Sequence, residues 1–255
     1  VFWQRQNARD KSKPSRQKGI IFSCNSAIFG EKECLCKDNK FILEIMNLAD
    51  LRLNYQKGEL HEQHVHPDPF AQFATWFKEA QASQLNEPNA MFLSTISTSG
   101  RPSGRIVLLK TVDHGFSFFT NYESRKGQDL AFSSQASITF FWGELERQIR
   151  IEGHVEKLSV ELSTAYFHSR PRESQLGAWV SEQSSRVSRE ELEKRYAELA
   201  AQYEGKTIPK PDHWGGYRLV PDYFEFWQGR PSRLHDRVVY DAREKGEWEC
   251  YRVAP

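Results

Sequence analysis

Residues 147–158 read RQIRIEGHVEKL. On an extended chain Ile149, Ile151 and Val155 fall on one side, and Gln148, Arg150, Glu152 and His154 on the other. That alternation predicts a strand with one packed face and one face open to water or a ligand. Strand signals recur outward from this run. AMFLSTIS (90–97) ends at the turn Ser99-Gly100, GRIVLLK (104–110) precedes the turn Asp113-His114-Gly115, and FSFFTN (116–121) and SITFFW (137–142) follow. Downstream come YRLVPDYFEFW (217–227), RVVY (237–240) and WECYRV (248–253), the last two joined across Lys245-Gly246. Short strands linked by short turns predict an antiparallel sheet or barrel.

Helical signals interrupt the strands, so the class is mainly β with helices (α+β). Asp68 is placed to cap a helix that has Pro69 at its first position. Phe70, Phe73, Ala74 and Phe77 then follow at helical spacing. Val160 to His168 is a second candidate, and Ser188-Arg189-Glu190-Glu191 is a capping box opening a charged helix to about Glu204. KTIPKPDHWGG (206–216) reads as a connector, and there are no repeats.

The chain has 255 residues and a formal net charge of +1. That balance argues against general nucleic-acid binding, so any anion site is local. No apolar run approaches the roughly 20 residues that span a bilayer, which argues against a membrane protein. Cys24, Cys34, Cys36 and Cys250 are few and unevenly spread, and Cys34-Leu35-Cys36 lacks zinc-site spacing. They read as free thiols in a reducing, cytoplasmic compartment, with no metal site. Residues 1–45 differ from the rest, whereas MNLADLRLNYQKGEL from Met46 reads like a protein start. Residues 1–45 are therefore set apart as an extension, disordered or not native, and 46–255 as a single domain.

Four clusters carry candidate chemistry. Arg105 and Lys110 sit five positions apart and point to opposite faces of an extended strand. They are either two surface charges or contacts to two separate anions. Ser124-Arg125-Lys126-Gly127 opens a helix, which is either ordinary helix-start polarity or a phosphate site. In YFHSRPRESQLGAWVSEQSS (166–185), Tyr166, His168, Ser169, Arg170, Arg172 and Ser174 cluster where Pro171 breaks a helix. A guanidinium, a phenol and a hydroxyl make a phosphate clamp, the alternative being a solvated basic turn; His168 reads as a structural hydrogen-bonder. In FWQGRPSRLHDR (226–237), Arg233, His235 and Arg237 alternate, so on an extended segment all three face one side beside Trp227. Like charges so placed repel unless something negative lies among them, which favours an anionic or electron-rich aromatic ligand. GxGxxG after a strand, P-loop, GxSxG and HExxH signatures are absent.

RIVLLK, FFTNYESRKG, ERQIRIEG, YFHSRPRESQLGAWVSEQSS, WGGYRL and EFWQGRPSRLHDR, in that order, resemble the pyridoxine/pyridoxamine 5′-phosphate oxidase family. The resemblance runs from about Met46 to the terminal YRVAP, where Val253 stands in place of the family's common leucine. It implies an FMN-binding split β-barrel, antiparallel and homodimeric, with two FMN sites at the subunit interface. The implied reaction is oxidation of pyridoxamine or pyridoxine 5′-phosphate to pyridoxal 5′-phosphate, with O2 as acceptor and H2O2 released. By the same resemblance Arg105, Ile106, Val107, Leu108, Phe119, Thr120, Arg125, Lys126, Gln148, Gln183, Ser184, Trp227 and Arg237 bind FMN, with Arg105 reaching its phosphate and Gln183 and Ser184 reaching across the dimer. Lys110, Tyr166, Arg170 and Ser174 grip the substrate phosphate, and Arg233, Leu234 and His235 cover its ring, with Arg233 and His235 as the catalytic pair. Two alternatives compete. Another split-barrel flavin reductase would not need the Tyr166–Ser174 clamp, and a non-catalytic pyridoxal 5′-phosphate carrier would release no peroxide.

Overall fold

The computed structural model describes residue 51 and residues 53–255. The extension assigned to 1–45 and the start at Met46 lie outside the described residues.

In chain order the elements are α1 (Pro69–Ala82), β1 (Ala90–Ile96), β2 (Pro102–Leu108), β3 (Thr111–Val112), β4 (Phe116–Asn121), α2 (Arg125–Phe132), β5 (Gln135–Trp142) and β6 (Arg147–Lys157). Then follow α3 (Val160–Ser169), α4 (Arg172–Val180), α5 (Arg189–Gln202), β7 (Trp214–Gln228), β8 (Asp236–Ala242) and β9 (Trp248–Arg252). All strand pairs are antiparallel, in the order β2-β1-β5-β6-β7-β4-β3, with β8 on β7 and β9 on β8.

β7 explains the curl. Trp214–Leu219 pairs with β4 and Tyr223–Gln228 with β8, while β6 pairs from Tyr217 to Gln228 and so spans both. Pro221 sits between the two partners, next to the register shift at Glu152/Gly153. There its missing N–H leaves neither β4 nor β8 without a ladder bond. The sheet bends at that point, and β2 and β4 meet across the open seam without pairing. The result is an antiparallel split barrel.

The alternation in β6 holds: Ile149, Ile151 and Val155 are buried, while Gln148, Arg150 and Glu152 stay half-exposed. The inner face is aromatic, with Phe73, Phe116, Phe118, Phe140, Phe224 and Phe226 fully buried in one core. Each such ring contributes roughly 1.5–3 kcal/mol on leaving water. In α1 the cap is as expected, Asp68 accepting from Phe70 N at 3.0 Å with Pro69 at the first position. Its buried face differs: Phe73 is joined by Gln72, Trp76 and Ala80, while Ala74 faces solvent.

Two local expectations change. Pro171 does not merely break a helix; it stands between α3 and α4 and occupies the N-cap of α4, since a fixed φ suits a helix start. Residues 231–235 are not extended either. Pro231–Arg233 form a 3-10 turn, with Ser232 (φ 59) and Arg233 (φ 61) in left-handed backbone, and β8 begins only at Asp236. Arg233, His235 and Arg237 are therefore not three neighbours on one strand face.

Candidate active site

The ends of β2 and β4 and the start of α2 meet α3 and α4 around one cavity of about 640 Å3, within the range of about 300–1,000 Å3 usual for small-ligand sites. Its walls carry two groups of donors.

The first lies at the start of α2. Ser124 caps this helix, accepting from Gly127 N at 3.3 Å. A side chain at Gly127 would put Cβ 2.1 Å from the Tyr122 carbonyl oxygen, so only glycine lets the first turn sit this close to β4. Lys126 folds back, its Nζ donating to Thr120 Oγ1 (3.0 Å), Ser124 Oγ (3.3 Å) and Gln183 Oε1 (3.3 Å). Burial, followed by repulsion from Arg105, holds the Lys126 ammonium below its usual pKa. Arg105 does not line the cavity. It lies behind it, donating to Thr95 Oγ1 (2.7 Å) and Ser103 Oγ (2.9 Å), with Asp129 at 3.6 Å. Burial lowers its pKa as well; Asp129 opposes that shift and Arg125 adds to it. Two partly desolvated cations, Lys126 and Arg105, with the exposed Arg125 at the same helix start, fit an anion such as a phosphate.

The second group is Lys110, Tyr166, Arg170 and Ser174, all on the same cavity. Lys110 lies just beyond the end of β2, so it reaches the cavity that Arg105 only backs. The Arg170 guanidinium rests over Trp214 at 4.7 Å, and its Nη1 is buried with no hydrogen-bond partner. A buried unpaired guanidinium nitrogen is costly and marks a place for an acceptor. Tyr166 stacks on Phe119 at 3.9 Å, and Phe119 on Trp214 at 5.5 Å. Trp214 is the residue sequence reasoning missed; its signal was the following Gly215-Gly216 pair. A Cβ at Gly215 would strike the Tyr122 hydroxyl (2.1 Å), and one at Gly216 would strike Leu158 (2.5 Å) and Phe119 of the stack (2.8 Å).

Ile106, Val107, Leu108, Phe119, Thr120, Lys126 and Gln183 also line this cavity. Ser184 Oγ accepts from Arg125 N at 3.3 Å. Gln183 and Ser184 thus meet Thr120, Lys126 and Arg125 of their own chain.

The remaining expected residues lie elsewhere in the chain. Gln148, Trp227 and Arg237 are cross-strand neighbours on β6, β7 and β8, one row on the outer sheet face. Arg237 is already paired, donating bidentately to Glu225 at 2.9 Å. Glu225, on the adjacent strand, is the negative partner of Arg237 alone among the three residues of the alternation. Burial raises the Glu225 pKa, but Arg237 and Arg150 outweigh it and the net shift is downward. His235 packs on Trp227 at 4.7 Å, and its Nδ1 accepts from Arg230 N at 3.1 Å. An uncharged ring held this way carries its proton on Nε2. Arg233 and Leu234 are exposed on the neighbouring turn. None of these five residues from Trp227 to Arg237, nor Gln148, is among the described residues lining the cavity.

A family model described as "Pyridoxamine 5'-phosphate oxidase" matches residues 77–203, and one described as "Pyridoxine 5'-phosphate oxidase C-terminal dimerisation region" matches 214–255. A pyridoxine/pyridoxamine 5′-phosphate oxidase of Bordetella avium is 57% identical over 211 residues, 82% of this chain and 100% of that protein. One from Burkholderia cenocepacia is 58% identical over 212 residues, 82% of this chain and 99% of its own length. Among solved structures, PhzG from Burkholderia lata in complex with tetrahydrophenazine-1-carboxylic acid superposes with TM-score 0.72 at 31% identity, covering 76% of this chain and 96% of that one. A pyridoxamine 5′-phosphate oxidase-related, FMN-binding protein from Nostoc punctiforme shares the fold, with TM-score 0.60 at 15% identity over 75% of this chain and all of that one. Near-complete coverage of relatives at this identity leaves one conclusion: the chain belongs to the pyridoxine/pyridoxamine 5′-phosphate oxidase family.

Proposed function

We propose that this protein is an FMN-dependent oxidase that converts pyridoxamine 5′-phosphate and pyridoxine 5′-phosphate to pyridoxal 5′-phosphate, passing electrons to dioxygen and releasing hydrogen peroxide. The observation that carries this reading is the pair of cationic grips on one cavity, the Lys126 group and the Lys110–Arg170 group. Two phosphates, one per grip, suit a phosphorylated cofactor and a phosphorylated substrate. When bound, FMN supplies a two-electron acceptor that dioxygen regenerates.

The chain's own residues bind and orient. Thr120, Arg125 and Lys126 hold the cofactor phosphate, and Arg105 supports them from behind with positive charge. Lys110, Tyr166, Arg170 and Ser174 hold the substrate phosphate, and the Phe119–Tyr166–Trp214 stack keeps Arg170 and Tyr166 fixed. Fixing both partners in near-attack geometry is worth up to about 7–11 kcal/mol. Gln148, Trp227, Arg233, Leu234, His235 and Arg237 come from a second copy. Two features support this homodimer: those residues lie away from the cavity of their own chain, and Ile106 and Phe141 expose 62% and 66% of their surface on the outer sheet face. His235 then offers Nε2–H as a donor to the substrate's amine-bearing or hydroxyl-bearing end, and Arg233 adds positive charge. With the amine substrate, ammonia leaves as well.

The test compares pyridoxamine 5′-phosphate with pyridoxamine in the wild type and in Arg170→Met. The wild type should strongly prefer the phosphorylated form. Arg170→Met should raise KM for that form about 100-fold, the worth of a charged hydrogen bond plus its partner's desolvation, with FMN affinity little changed. Equal turnover of both forms by the wild type would remove the substrate assignment.

A further inference from the structure

One buried residue fastens together three segments around the 229–235 loop. Glu146 follows the 3-10 turn Gly143–Leu145 in left-handed backbone, at φ 54 and ψ 39. That conformation is disfavoured for a residue with a Cβ and persists only where its surroundings over-determine it. Those surroundings are specific. Glu146 Oε2 accepts the backbone N–H groups of Gln56 (2.8 Å) and Lys57 (2.9 Å). Its carbonyl accepts from Gly229 N (2.7 Å) and from Gln228 Nε2 (3.2 Å). A carboxylate taking two backbone N–H groups makes charge-assisted bonds of good directionality.

The consequence is the seat of Tyr55. Its ring meets Trp227 edge-on (5.7 Å, 90°) and His235 (5.7 Å, 67°). The fit is close: a Cβ at Gly229 would lie 2.7 Å from Tyr55 Cγ and 3.1 Å from Glu146 Cβ. His235 is thus held on one side by Trp227, on another by Tyr55, and at Nδ1 by Arg230 N. We infer that Glu146 is a positioning residue for His235. It clasps the 55–58 strap to the 228–230 segment, so that Tyr55 fixes the imidazole with Nε2 presented to substrate. This rests on the reading of His235 as a substrate contact.

The test uses the full-length, FMN-loaded protein. Glu146→Ala and Tyr55→Ala should each lower kcat/KM for pyridoxamine 5′-phosphate about ten-fold, as small misplacements of a reacting group do. The double variant should be no worse than either single, because both act through one contact. Glu146→Gln, whose amide oxygen still accepts both N–H groups, should recover most of the loss. If Glu146→Ala does not fold, Tyr55→Ala decides the matter alone. Loss of thermal stability with kcat/KM within about two-fold of wild type, or single effects that multiply, overturns the inference. Amide exchange at Gln56 and Lys57 separates the two readings: protection should disappear in Glu146→Ala whatever the enzyme oxidises, and retained protection overturns the clasp itself.

Discussion

Arg170 and His235 are constrained in opposite ways. Arg170 is held by an aromatic face and left short of an acceptor, whereas His235 has one ring nitrogen satisfied by backbone. The second arrangement fixes a tautomer. In nitrogen-15 spectra of histidine-labelled protein, neutral His235 should show an unprotonated Nδ1 and a protonated Nε2. His235→Gln, which sets an amide N–H near the Nε2 position, should retain kcat/KM roughly ten-fold better than His235→Asn, about the worth of one hydrogen bond. A neutral ring protonated at Nδ1 would refute the donor role. At this scale the cavity donors were legible: Lys110, Tyr166, Arg170 and Ser174 come together as a group. The Arg233–Arg237 alternation misled because Ser232 and Arg233 turn left-handed, a choice that nothing in their side chains announces. Nor could the partner of Arg237 be read locally, since Glu225 approaches from the adjacent strand.

Elements were legible where their signals are local. Asp68, Ser124 and Ser188 each accept an N–H at the helix start they were expected to cap, or were placed to open. The period-two run of β6 is a strand with the expected inner face. What escaped were features set by contacts between elements: α4 behind Pro171, the change of partner along β7, and the buried stripe of α1. The β6–β7–β8 row carries its own prediction. Glu225 is buried between Arg150 and Arg237, and Tyr223, whose hydroxyl donates to it at 3.1 Å, is pushed up to about 12 by burial and then by that carboxylate. The Glu225 pKa is lowered on folding, so its pairing stabilises the fold above the unfolded carboxylate value of about 4.3 and is lost as pH falls through the lower folded value. Glu225→Gln should cost roughly 2 kcal/mol at neutral pH, below the roughly 3–5 of a fully buried pair because both arginines keep some solvent. Denaturant unfolding of wild type and variant should converge as pH falls below about 4. A gap that persists undiminished in acid would show that the loss is not ionic.

At the scale of the molecule, the Trp227–Arg237 row does not line the cavity that carries the two donor groups within the chain as described. The exposed apolar side chains of the outer face, Ile106, Phe92 and Phe141, supply the surface through which a second copy would bring them together. Phe141→Asp should therefore yield a monomer by light scattering and weaken FMN binding at least about ten-fold, since part of the cofactor's contacts would be lost with the partner. A monomer that binds FMN as tightly as wild type would show that one chain suffices.

The most direct measurement is anaerobic mixing of the FMN-loaded protein with pyridoxamine 5′-phosphate while following the yellow flavin absorbance. Rapid bleaching in a single turnover, recovered on admitting oxygen with peroxide released, is the expected result. A flavin that stays oxidised while the substrate is bound would contradict the assignment of this cavity to electron transfer between two phosphorylated rings.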